Sequence, residues 1–83
     1  MKMKRESIFY RTSDLALASA LSIYFPIKSL NKTDERRVVF IFLRNKDLDE
    51  LIEGYFNRSL KLEPQVYFNA IKALKGRIYQ KDK

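Results

Sequence analysis

The sequence predicts an α+β domain: a three-stranded mixed sheet of the split β-α-β kind, strand order 1-3-2, with three helices in the order β-α-β-β-α-α. Three observations predict it. Residues 37–43, RVVFIFL, are apolar without alternation, so they read as a strand covered on both faces and therefore as the central one. Leu48, Leu51, Ile52, Tyr55 and Phe56 recur at i, i+3, i+4, i+7 and i+8, the signature of one helix face. Two prolines, Pro26 and Pro64, stand where one helix has to stop and another has to start.

The elements follow in order. Residues 8–12, IFYRT, are aromatic and β-branched and end at a polar cluster, which predicts the first strand. Helix one is expected over residues 14–24, closed by Pro26, with Leu17, Ala18, Leu21 and Tyr24 on its inner face. Ala16, Ala18, Ser19, Ala20 and Ser22 keep it slim, which suits close packing on a sheet. Ser13 or Thr12 is expected to cap it, and Asp14 to complement its dipole.

Residues 27–30 are a weaker strand candidate, and NKTDE, residues 31–35, is turn-rich and links it to the strand at 37–43 as a hairpin. A crossover from strand one to strand two, with strand three inserted antiparallel to both, satisfies the right-handed rule. In helix two, Asp47 and Glu50 have the spacing of a capping box, and Gly54 weakens the helix by about 1 kcal/mol relative to alanine. Extended SLKLE leads to Pro64, and helix three runs to about residue 80. The 83 residues read as one domain without internal repeats, frayed at residues 1–5 and 81–83.

Absences narrow the chemistry. The chain has no histidine and no cysteine, which removes thiol nucleophiles, His-based acid–base catalysis, disulfides and the usual zinc sites. Gly54 and Gly76 lie inside helical patterns and build no phosphate-cradling loop. Asp47, Asp49, Glu50 and Glu53 are the one dense carboxylate group, but they spread around a helix and read as a solvated face, not a magnesium site. We therefore expect no enzyme, no cofactor and no metal. The start MKMKRES followed by LALASALSIYF imitates a signal peptide, yet Glu6 and Asp14 interrupt it and the apolar stretch is short. The expected setting is cytoplasmic, away from membranes.

The net charge of +7 is uneven. Residues 1–11 carry +3 and residues 64–83 carry +4, while eight basic and eight acidic residues cancel between them. Chain ends that lie close together would make one positive region. In helix three, Tyr67, Ile71, Leu74 and Ile78 form an apolar stripe, and Phe68, Lys72, Lys75 and Tyr79 form a second face about a quarter-turn away. Lysines interleaved with rings can neutralise phosphates and stack bases. The bland reading is that Phe68 extends the core and the lysines serve solubility. For the cluster Arg11 to Asp14, capping competes with anion binding at the helix start, and Asp14 opposes the latter.

Tyr10-Arg11-Thr12-Ser13-Asp14-Leu15, the pair Phe56-Asn57, Pro64, and Lys75 through Arg77-Ile78-Tyr79 resemble a family of short bacterial, archaeal and phage proteins known as a domain of unknown function. The resemblance spans residues 10–79, and its pattern has glycine where this chain has Tyr24. It implies one domain and a phage or mobile-element setting, and carries no activity with it. The expected function is non-catalytic nucleic-acid binding, DNA or RNA, through Arg11, Phe68, Lys72, Lys75, Arg77, Tyr79 and Lys81. The alternative is a protein-interaction module or homodimer that uses Tyr55, Phe68 and Tyr79.

Overall fold

The structure is a computed structural model and describes residues 8–32 and 37–79. Three strands and three helices follow one another in the order β-α-β-β-α-α: β1 (Phe9–Thr12), α1 (Leu15–Tyr24), β2 (Ser29–Lys32), β3 (Val38–Leu43), α2 (Lys46–Phe56) and α3 (Pro64–Tyr79). The sheet order is β1-β3-β2, with β3 in the middle as its unbroken apolar character predicts. Both bonded pairings are antiparallel, with Phe9 opposite Leu43, Thr12 opposite Phe40, and Leu30 opposite Phe40. The sheet is therefore antiparallel throughout, not mixed: its two edge strands run the same way but do not bond to each other. The second strand lies two residues later than residues 27–30, although Lys28 N–H already bonds Ile41 O at 2.7 Å before the ladder proper begins. Of the turn expected at 31–35, Asn31 and Lys32 belong to β2, and the rest lies outside the described residues.

Opposed residues of an antiparallel ladder share a face. One face therefore carries Tyr10, Leu30, Val38, Phe40 and Phe42, and these join the core with Leu17, Leu21, Leu48 and Leu74 from the three helices. The other face carries Phe9, Val39, Ile41 and Leu43, none of which is buried or packs on that core. Among the described residues the expectation that β3 is covered on both faces is thus not met. All three helices contribute their buried side chains to one side, and among the described residues nothing seals the other.

α1 is enclosed instead. Leu17 through Leu21 are all buried, and five consecutive residues exceed one helical turn, so the helix is covered all round. Its small residues let α3 and α2 approach it closely. Tyr24, expected to face inward, is exposed; Ser19 and Ala20 are buried in addition to Leu17, Ala18 and Leu21. α1 ends at Phe25 in an extended conformation, φ −134°, so its stop needs no left-handed residue and no glycine where Tyr24 stands.

The caps differ from expectation. Asp14 is the N-cap of α1: its Oδ1 accepts from Ala16 N–H at 3.0 Å and Leu17 N–H at 3.2 Å. Thr12 supports it, its Oγ1 accepting from Asp14 N–H at 3.1 Å. α2 is capped by Asn45, which accepts from Leu48 N–H at 2.8 Å, and not by an Asp47–Glu50 box. Phe56 is exposed despite its helical spacing, since its ring meets Tyr55 edge-on at 5.2 Å beyond the core. α3 starts at Pro64 as predicted, and Glu63 accepts from Val66 N–H at 2.8 Å.

Candidate nucleic-acid interface

α3 presents two stripes at helical spacing. Leu74 is buried and Ile78 packs against the core, with Tyr67 and Ile71 half-buried beside them. Phe68, Lys72, Lys75 and Tyr79 fall on the adjoining stripe and are all exposed, Phe68 at 58% and Tyr79 at 74%. That exposure decides against Phe68 as an extension of the core. Lys72 Nζ lies over the Phe68 ring, 5.3 Å from its centroid, a cation–π arrangement that holds charge and ring side by side. From Pro64 to Tyr79 the helix contains no carboxylate, so nothing in it offsets Lys72, Lys75 and Arg77. Its C-terminal dipole favours those cations further.

The other expected residues do not join this stripe. Arg77 is exposed in the last turn, but nine positions from Phe68 at 100° each places it about 180° around the helix. Arg11 is exposed on β1 opposite Ile41, on the sheet face that the helices leave open. α3 belongs to the other side, so the basic head and the basic helix do not merge into one region among the described residues. Lys81 lies outside the described residues. Tyr55 packs against the core and drops out of the exposed aromatic set.

Of the residues at one end of the open sheet face, only Arg37 and Val39 were not singled out as site residues from the sequence. Arg11, Thr12, Ser13, Arg37 and Val39 line an open groove of about 450 Å³ there. The register carries the signal: Arg11, Ser13, Arg37 and Val39 share one parity across β1 and β3. Around Arg44 the charges are spoken for, since its Nε donates to Asp49 Oδ1 at 3.1 Å and its guanidinium sits 5.8 Å from the Tyr10 ring centroid. Among the described residues no group of three or more His, Cys, Asp or Glu side chains could hold a metal ion, and no helix is long and apolar enough to cross a membrane.

Fold and surface together define a small α+β domain with a one-sided core and an exposed cationic and aromatic helix face. The chain belongs to the family described as a domain of unknown function, DUF5659, matched over residues 7–80. No curated protein and no solved structure matches it.

Proposed function

We propose that this domain is a non-catalytic nucleic-acid-binding module. The observation that carries the reading is the α3 stripe, where the Lys72 ammonium sits over the exposed Phe68 ring with Lys75 and Tyr79 in line beyond it. Lysines on such a stripe neutralise backbone phosphates, and exposed rings accept bases in stacks without demanding a particular sequence. The +7 charge of the chain supports the same reading by favouring association with a polyanion.

The test is fluorescence anisotropy with single- and double-stranded DNA and RNA across a salt series. Binding should weaken linearly in log salt, and Lys72→Ala or Lys75→Ala should each lower the slope by roughly 0.7 to 0.9. Tyr79→Ala should cost about 1 to 3 kcal/mol on single strands with little change in slope. Absence of binding at low salt would refute the reading and leave the charge to solubility.

A further inference from the structure

We infer that the α3 stripe is a clamp for a short single strand of about four to six nucleotides, with Phe68 and Tyr79 stacked on its outer bases, Lys72 and Lys75 on the phosphates between them, and the strand lying close against Gly76. The inference rests on the nucleic-acid reading of the same stripe and adds to it the strand type, the length and the order of contacts. At 100° and 1.5 Å per residue, Lys72, Lys75 and Tyr79 stand about 40°, −20° and 20° around the helix from Phe68 and about 6, 10.5 and 16.5 Å along it. Ring, lysine, lysine and ring therefore follow one another on a single line. Stacked bases rise about 3.4 Å per nucleotide and splayed ones roughly twice that, so about three to five steps of a strand bridge the two rings. Lys72 Nζ already lies over the Phe68 ring, 5.3 Å from its centroid, so that ring face is within reach of a ligand and the ammonium stands beside it for the adjoining phosphate. Neither Lys72 nor Lys75 forms an ion pair among the described residues.

Gly76 supplies a second, independent observation. It lies about 80° around the helix from Phe68, directly after Lys75 and one turn beyond Lys72. A Cβ there would meet nothing within 4 Å, and its φ is not positive, so neither packing nor backbone conformation calls for glycine. Glycine weakens a helix interior relative to alanine. What it leaves here is bare backbone beside the stripe, where a strand can approach closely. A duplex fits less well, because its base faces are covered by their neighbours in the stack and the two rings would find none to take. A protein partner is opposed by the two lysines, a residue depleted from interface cores, and a second copy of this chain would set those lysines against their own kind.

The experiment uses the whole chain with labelled oligodeoxythymidines of three to twelve nucleotides and a labelled DNA duplex of twelve base pairs. Anisotropy is read for the wild type, Phe68→Ala, Tyr79→Ala, Lys72→Ala/Lys75→Ala and Gly76→Gln, with melting curves confirming that each variant is folded. Affinity should climb steeply up to about six nucleotides and slowly beyond, and each ring variant should weaken binding of that strand about five- to 150-fold. With abasic sites at both ends of the strand, the ring variants should bind no worse than the wild type. Gly76→Gln should raise the melting temperature by roughly 4 to 8 °C, since glutamine is a good helix former, and yet weaken binding. Unchanged affinity in either ring variant or in Gly76→Gln, or a duplex bound as tightly as the single strand, with loss in the lysine pair, would overturn the clamp and leave the broader nucleic-acid reading standing. No binding of either nucleic acid by the wild type at low salt would remove both.

Discussion

Tyr67 on α3 donates its phenolic hydrogen to the carbonyl of Ala16 on α1, at 3.0 Å across 51 residues of chain. This bond ties the last helix to the first turn of the enclosed one. Burial raises the Tyr67 hydroxyl above its ordinary value of 10.0, and the Asp14 carboxylate raises it further. Tyr55 is raised in the same way, first by burial, then by Asp14 and Tyr67.

The linkage has a definite sign. An unfolded chain gives up these phenolic protons near 10, while the folded chain keeps them to higher pH, so the folded state binds more protons there. The stability the tyrosines contribute is complete below about pH 10 and is lost as pH rises through their raised folded values. Urea midpoints measured from about pH 8 to about pH 11 should fall at the alkaline end. Tyr67→Phe should flatten that decline and remove about 0.5 to 1.5 kcal/mol at neutral pH.

The cap of α1 separates Asp14, which holds it, from Ser13, the neighbour expected to. Asp14→Ala removes both hydrogen bonds of the N-cap and should destabilise by about 0.5 to 2 kcal/mol. Ser13→Ala, on the exposed groove side, should stay within about 0.5 kcal/mol of the wild type. Equal losses in denaturant titrations would mean that Ser13 shares the cap.

The one-sided sheet makes adjacent residues of β3 unequal. Phe40 is buried at 1% exposure among all three helices, and Phe40→Ala should cost about 3 to 5 kcal/mol. Ile41 lies on the open side, and Ile41→Ala should cost well under half of that by the same measurement. A similar cost at both positions would show that the outer face is covered after all.

Ser19 presents a buried hydroxyl without a hydrogen-bond partner among the described residues, while its own carbonyl accepts from Ser22 Oγ at 2.8 Å. Ser19→Ala removes the stranded group and adds helix propensity. Thermal and chemical denaturation should show a gain of about 1 kcal/mol, and a loss of that size would reveal a partner for the hydroxyl.

Sheet order, helix number and the core of α3 were legible because they are written in periodicity and in the placement of two prolines. Which side of β3 stays open was not, because a run without alternation looks the same whether its second face meets a helix or solvent. The caps were misassigned by a residue or two for a related reason. Thr12, Ser13 and Asp14 are all good cap residues, and only the backbone turn decides that Asp14 points its carboxylate at Ala16 and Leu17. The Phe68 stripe was legible as a pattern on a wheel, whereas the separation of Arg11 and Arg77 from it depends on strand register and on where the helix axis lies.

The register of β3 also sets an order of events in time. Lys32 faces Val38 across a hairpin that closes within a few residues, whereas Thr12 must find Phe40 and Phe9 must find Leu43, separations of roughly thirty residues with a correspondingly larger closure entropy. The hairpin and α2 are local and should form in the transition state; β1 pairing and the docking of α3 on α1 should follow. In stopped-flow chevrons, Leu30→Ala should then slow folding, and Leu74→Ala should act chiefly by speeding unfolding. The helix that carries the cationic stripe is thus expected to be the last to dock and the first to leave.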